Sequence, residues 1–267
     1  MNSKMLQNLL TEGIISSLHN LEEVDSTNTY LKAYLGKDAL PSLAVTDNQT
    51  AGKGRMGRVW SCPKGENIAM SYLFCPSKDT KNLSSVTLLA ALAITDAIRE
   101  LFPVSAGIKW PNDVIVGTKK ICGILTEMVS DGTANYVIIG IGINVNTTSF
   151  PDELKEKATS LFLETGADSP IQPEPFVTLV TKKLKQLIDA FEACGDLSFI
   201  REKYNELLIN RGKLVSLSTD NVAFPKNPYT CLGINAEGGL LVTDCDGALD
   251  VITTGEVSVR GLLGYVN

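Results

Sequence analysis

DVIVGTKKICGILTEMVSDGTANYVIIGIGINVN (113–146) is the stretch whose reading decides the fold. DVIV, KICGILTEMV and NYVIIGIGINV are apolar runs of strand length, and the GTKK turn between the first two predicts a hairpin. Working outward, AGIKW (106–110), NIAMSYLF (67–74) and SLAVTDN (42–48) read as further strands. Residues 83–102 repeat Val86, Leu89, Ala90, Ala93, Ile94, Ala97 and Leu101 at helical spacing, with Pro103 past the end. Residues 1–19 predict a helix carrying Leu6, Leu9, Leu10 and Ile14 on one face. The polar segment TTSFPDELKEKATS (147–160) precedes two predicted helices, 173–193 and 197–209. From KLVSLSTD (213–220) onward short alternating strands take over, with turns at Glu237-Gly238-Gly239 and Asp246-Gly247, a pattern that fits a small antiparallel barrel. The expectation is an α+β fold: a mixed β-sheet with flanking helices over 1–210, then a small all-β domain over 211–267.

The 267 residues suit one large and one small domain, given about 150 residues per domain as a prior. A net charge of −6 makes a poor generic nucleic-acid binder, which needs clustered Lys and Arg. The single histidine, His19 in SLHNLEEV, constrains more sharply. Ser-His-Asp triads, Cys-His pairs, HExxH zinc sites and the kinase His-Arg-Asp loop all need a histidine in another context. The six cysteines (62, 75, 122, 194, 231, 245) show no CxxC spacing and are expected to be reduced, buried thiols of a cytoplasmic protein. The N-terminal residues lack signal-peptide character, and the apolar run VTLLAALAI is too short for a bilayer, so no membrane partner is expected.

Against this acidic background QTAGKGRMGRVW (49–60) stands out. Residues 50–64 carry Lys53, Arg55, Arg58 and Lys64 and no acidic residue. Gly52, Gly54 and Gly57 allow close backbone approach, and guanidinium forks match phosphate oxygens, so the loop suits a polyphosphate or an acyl phosphate. A solvated basic loop is the plainer reading. The stretch also spells G-x-G-x-x-G, but a dinucleotide fingerprint should open a helix, whereas turn residues and a strand follow here. The kinase form fails as well, because neither HRD nor DFG lies downstream.

Three other segments carry polar groups in apolar surroundings. In IKWPNDVIVGTKKICGILTE (108–127), Asn112 and Asp113 could hold magnesium or its waters, or merely build the turn. Lys120 opens an apolar strand, where an ammonium is costly unless an anion faces it or it snorkels to solvent. Gly123 marks a close approach. In YVIIGIGINVN (136–146) two glycines imply something packed against the sheet, with Asn144 a polar contact at its end. In EVDSTNTYLK (23–32), Ser26, Thr27 and Asn28 could cap a helix or read a small polar head group.

Taken in order, DSTN (25–28), QTAGKGRMGRVW (49–60), KWPND (109–113), KKICGILTE (119–127) and GIGINVN (140–146) resemble the biotin protein ligases, with GEVSVRG (255–261) similar to the family's end. The resemblance implies a class II synthetase-like catalytic domain followed by an SH3-like barrel. It implies ATP-dependent conversion of biotin to biotinyl-5'-AMP and transfer to a lysine of a biotin carboxyl carrier protein, with Mg2+ accompanying ATP. It assigns biotin to Ser26, Thr27, Asn28, Gln49, Lys53, Gly54, Arg55, Trp60, Lys120 and Gly123. ATP falls to Arg55, Arg58, Asn112, Lys120 and Asn144, metal to Asn112 and Asp113, and catalysis to Arg55 and Lys120. Phe150 would cap adenine. The family's loop carries arginine where Lys53 stands here. Members that repress transcription carry an N-terminal winged helix-turn-helix; only a short stretch precedes DSTN, so DNA binding is not expected. Lipoate–protein ligases share the adenylate chemistry, and a non-catalytic nucleotide- or biotin-binding regulator is the alternative from another class. Edge-strand pairing could give a homodimer.

Overall fold

The structure, a computed structural model, describes residues 3–77, 85–219, 222–224, 228–253 and 257–261. Helix α1 (Ser3–Thr11) buries Leu6 and Leu9 and stops short of the expected 1–19 span. Gly13, at φ +69, turns the chain out of the helix, and Ser17–Asn20 become strand β1 instead. Ser26 then caps the short helix α2 (Thr27–Lys32), followed by β2 (Ser42–Thr46) and β3 (Asn67–Phe74). Helix α3 (Val86–Leu101) buries 11 of its 16 residues, including every member of its apolar repeat except Leu101 at the exposed C-terminal end; residues 83 and 84 of the expected helix lie outside the described residues. Four strands follow: β4 (Ala106–Lys109), β5 (Asp113–Val116), β6 (Lys119–Ser130) and β7 (Asn135–Asn144). The polar segment at 147–160 contains the one-turn helix α4 (Asp152–Lys155), and α5 (Leu161–Thr165) comes directly after it. The two late helices are α6 (Glu174–Cys194) and α7 (Arg201–Leu207).

These seven strands form one mixed sheet in the order β1-β2-β3-β7-β6-β5-β4. Only β1 and β2 run parallel; every other neighbouring pair is antiparallel. One face is apolar. Leu43, Val45, Met70, Tyr72, Ile139 and Ile143 pack there with α1, α3 and α6 in a continuous core. On the other face a smaller cluster, Leu31, Ala44, Leu73, Tyr136 and Ile138, seats α2 at one end and leaves the middle of the sheet to loops.

Six strands make the C-terminal sheet: β8 (Leu214–Thr219), β9 (Val222–Ala223), β10 (Tyr229–Ile234), β11 (Leu240–Thr243), β12 (Leu249–Ile252) and β13 (Val257–Gly261). Their order is β12-β11-β10-β8-β13, all antiparallel, with β9 paired to β8. Among the described residues no pairing joins β12 to β13, so the sheet is small and antiparallel without a closing seam. Gly255 and Glu256 of GEVSVRG lie outside the described residues. The sheet docks on the first through its own core: Tyr204, Leu208, Val215, Leu217 and Tyr229 continue the main cluster. Trp110 Nε1 donates to Gly238 O at 3.1 Å, satisfying an indole N–H that is fully buried. Among the described residues no helix is long and apolar enough to cross a membrane.

Candidate active site

Alternation along β3, β6 and β7 builds the floor of a cavity. Ala69 and Ser71 of β3, Gly140 and Gly142 of β7 and Gly123 of β6 share the face opposite α3, in register across the three strands (Ala69↔Gly142↔Gly123; Ser71↔Gly140). The close approach expected at the β7 glycines is real. A Cβ on Gly142 would sit 2.3 Å from the Trp60 ring, and one on Gly140 would sit 2.3 Å from Asn28 Oδ1. The Trp60 ring therefore packs directly on the strand backbone at Gly142. Its Nε1 is buried and meets no acceptor among the described residues.

The Gly-rich loop is a hairpin finger. Trp60 N donates to Gly52 O at 2.9 Å, Gly54 N to Arg58 O at 2.7 Å, and Arg58 N to Arg55 O at 3.3 Å. Both central residues of that turn, Met56 (φ 56) and Gly57 (φ 69), are left-handed, the geometry of a type I′ turn. The loop holds a three-residue 3-10 turn, Arg55–Gly57, and strand β3 rather than an α-helix follows it, in keeping with rejection of the dinucleotide reading. The finger is tied across the cavity mouth: Arg55 Nη1 donates to Asn112 Oδ1 at 2.9 Å, and Asn112 Nδ2 donates to Ile124 O at 3.1 Å. Lys53, exposed, donates from Nζ to Thr29 Oγ1 at 3.1 Å.

Asp113 is the anion that Lys120 needs. An extra residue in β6, at the register shift opposite Val114 and Ile115, turns Lys120 toward the cavity, and its Nζ lies 2.6 Å from Asp113 Oδ1. Lys109 Nζ stands 3.9 Å from Asp113 Oδ2, both side chains buried. The same Lys120 ammonium stands 5.5 Å from the Trp60 ring centroid, within cation–π range. This arrangement does not fit the magnesium expectation. The Asn112 amide is used at both ends, and the Asp113 carboxylate faces two ammonium groups that a divalent ion would have to displace. Among the described residues no group of three or more His, Cys, Asp or Glu side chains could hold a metal.

The cavity is an open cleft whose empty space, solvent at its mouth included, is about 480 Å³. Of the expected site residues, Ser26, Thr27, Asn28, Gln49, Lys53, Gly54, Arg55, Trp60, Asn112, Lys120 and Gly123 line it together. Ser26 lines the cavity, and its Oγ also caps α2 by accepting from Thr29 N at 3.5 Å. Arg58, Asp113, Asn144 and Phe150 are not among its lining residues. Arg58 is exposed on the far strand of the finger, and the buried Asn144 donates from Nδ2 to Thr159 O at 2.9 Å. Sequence reasoning missed Ala69, Ser71, Leu125 and the Lys32–Glu127 pair behind the floor. The signal available for the first two was their small size at alternate positions of a strand otherwise built of large residues.

His19, the solitary imidazole, stands apart from the cavity on β1, with Nε2 2.6 Å from Asp38 Oδ2 and Nδ1 3.2 Å from Tyr30 OH. The cysteines are all free, but only Cys62, Cys122 and Cys231 are buried. Cys75, Cys194 and Cys245 are exposed, against expectation, because each falls at or beyond an element's end or in a turn. Burial pushes the Cys62 thiol up to about 12.

Among the described residues no carboxylate lines the cavity, while Lys53, Arg55 and Lys120 do, together with the neutral hydrogen-bonding groups of Ser26, Thr27, Asn28 and Gln49. Such a lining can neutralise an anion and hydrogen-bond a polar group of a small molecule. Comparison with known proteins agrees. The family model described as "Biotin/lipoate A/B protein ligase family" matches residues 21–144. The biotin–[acetyl-CoA-carboxylase] ligase of Paracoccus denitrificans is 34% identical over 60% of this chain and 68% of its own length. The solved biotin protein ligase of Aquifex aeolicus in complex with biotin and ATP superposes with a TM-score of 0.80 at 30% identity, covering 92% of this chain and 99% of that one. The chain belongs to the biotin protein ligase family. It spans 48% of the bifunctional ligase/repressor BirA of Bacillus spizizenii, to which it is 41% identical over 165 residues, and 39% of that of Bacillus subtilis.

Proposed function

We propose that this protein activates biotin with ATP and transfers it to a lysine of a biotin carboxyl carrier protein. The observation that carries this reading is the cavity's lining: neutral donors and acceptors at Ser26, Thr27 and Gln49, cations at Lys53, Arg55 and Lys120, and the Trp60 ring. A bicyclic urea with a carboxylate tail matches that set of groups. One oxygen of the biotin carboxylate attacks the α-phosphorus of ATP, forming the mixed anhydride as pyrophosphate leaves. The carrier lysine, as the free amine, then attacks the anhydride carbonyl, and AMP departs with the bonding pair. Neither step asks the protein for an imidazole. It asks for neutralised anions, alignment and exclusion of water.

Lys120 is positioned to exchange Asp113 for the biotin carboxylate, and Arg55 to hold the finger over the adenylate through Asn112. Lys53 and Gly54 border the ligand from the finger, with Gly123 beneath it. Arg58 faces the phosphates from the solvent side, while Asn144 and Phe150 border the nucleotide beyond the cavity. Residues 1–210 are read as the catalytic domain and 211–267 as an SH3-like barrel, a reading supported by the antiparallel order of β8 to β13. The six free thiols favour a reducing, cytoplasmic setting.

The test is exchange of labelled pyrophosphate into ATP by the purified protein. Exchange that requires biotin and ignores lipoate is expected. Exchange that requires lipoate instead would replace this reading with the lipoate one.

A further inference from the structure

Behind the cavity wall runs a chain of hydrogen bonds that starts at an ion pair and ends at Thr27 and Gln49 of the lining. Lys32 Nζ lies 2.7 Å from Glu127 Oε1, and Asn28 Nδ2 donates to Glu127 Oε2 at 2.8 Å and to Leu125 O at 3.2 Å. Ser71 Oγ lies 2.6 Å from Asn28 Oδ1 and 2.7 Å from Thr27 Oγ1. Gln49 Oε1 accepts from Thr27 N at 2.9 Å and lies 3.3 Å from Thr27 Oγ1. Thr27, Asn28 and Ser71 are buried.

Proton directions follow from the chemistry of the groups. A carboxylate and a peptide carbonyl can only accept, so the NH2 of Asn28 must face Glu127 and Leu125. Asn28 Oδ1 therefore faces Ser71, which must spend its single proton on it. Ser71 then has only lone pairs for Thr27. The Thr27 hydroxyl meets two acceptors, Ser71 Oγ and Gln49 Oε1, and its proton goes to one of them. Whichever takes it, Thr27 shows the cavity lone pairs alone. Burial by itself would raise the Glu127 carboxyl, but its hydrogen bonds from Lys32 and Asn28 outweigh that and hold it below the ordinary carboxylate value. Asn28, with every arm engaged, is then a strut behind the ligand rather than a ligand contact.

We propose that Glu127, paired with Lys32, is a positioning residue that fixes the proton direction along Asn28, Ser71 and Thr27, so that the site selects a ligand presenting an N–H at Thr27. The proposal rests on the biotin reading and adds to it a reason for substrate choice: a ureido ring carries N–H donors and a dithiolane ring has none. A buried acceptor left without its donor weakens binding by on the order of tenfold or more.

Calorimetry with biotin and with ureido-N-methylated biotins tests this. In the wild type, methylation of the nitrogen facing Thr27 is expected to weaken binding roughly tenfold or more. In Glu127→Gln the new amide turns its oxygen to Lys32 and its NH2 to Asn28, leaving Leu125 O, at 3.2 Å, as the one acceptor that still holds the Asn28 amide; the chain loses its fixed direction and the methylation penalty should fall several-fold. Glu127→Asp keeps an acceptor-only group and should keep the penalty even if both ligands bind more weakly. Ser71→Ala leaves Gln49 Oε1, at 3.3 Å, as the remaining acceptor for the Thr27 proton and should reduce the penalty to a smaller extent. A purely structural role would weaken both ligands alike and leave their ratio unchanged; that result in both Glu127→Gln and Ser71→Ala overturns the relay. Failure of the wild type to bind biotin at all would instead overturn the site reading on which it stands.

Discussion

On the helix-covered face of β3 and β7 stand Met70, Tyr72, Ile139 and Ile143; one residue along, on the opposite face, stand Ala69, Ser71, Gly140 and Gly142. The backbone and register are common to both faces, yet one is filled by its own side chains and the other is pared back. The filled face holds the fold, and its large side chains meet α1, α3 and α6 in the main core. The pared face has given up packing of its own, so Trp60, Asn28 and a ligand can lie against the sheet. Stability and function are thereby assigned to alternate residues of the same strands.

Substitutions on the two faces should therefore fail in different ways. The largest effect is expected from Ile139→Ala, fully buried on the filled face, which should cost about 4 kcal/mol of stability through lost packing and the cavity left behind. Biotin affinity of the molecules that remain folded should not change; urea melts and calorimetry on one preparation read both quantities. Gly142→Val should do the reverse. Its side chain would occupy the Trp60 position, so biotin binding should weaken roughly hundredfold, about 2.7 kcal/mol, with a much smaller change in melting. If the stability loss exceeded the binding loss there, the division between faces would break down.

In the cavity lining, Lys120→Ala should raise the biotin dissociation constant about tenfold, or about 1.4 kcal/mol, for one charge-assisted contact. An unchanged constant would remove Lys120 from the carboxylate site. Arg55→Gly cuts the tie to Asn112 that holds the finger over the mouth, so a trapped adenylate should escape several-fold faster. Unchanged release would leave the finger without that role.

The smallest effect concerns pH. The Glu127 carboxyl titrates below its ordinary 4.5, so its contribution to stability is complete above that value and disappears as pH falls through the lower folded-state value. The melting difference between the wild type and Glu127→Gln should accordingly narrow on acidification below pH 4.5. A difference that stayed constant would mean that the Lys32–Glu127 pair adds nothing to the fold.

Much of this division is legible in the sequence. The runs at 67–74, 119–130 and 135–144 are apolar enough to declare strands, and the two β7 glycines inside an isoleucine run announce that something large approaches. What approaches is not legible, because Trp60 arrives from a loop and Asn28 from α2, both distant in sequence, and only the tertiary fold brings them over Gly142 and Gly140. The Asp113–Lys120 pair is hidden for a similar reason: an extra residue in β6 sets the direction of Lys120, and register shifts leave no mark in composition. The helix expected over 1–19 fails locally, since the apolar repeat continues past Gly13 while the backbone does not. The small residues Ala69 and Ser71 looked like ordinary core until the alternation was placed on a face.

The central claim, that the pared face is a biotin-activating site, is met most directly by incubating the protein with biotin, MgATP and a biotin carboxyl carrier domain and reading the carrier's intact mass. The account predicts that the carrier gains a single biotinyl group, only when both biotin and ATP are present, and that Gly142→Val abolishes the gain while Ile139→Ala retains it at a temperature where it is folded. A carrier mass unchanged by a folded wild-type protein that binds biotin would contradict it and leave a binding protein in place of a ligase.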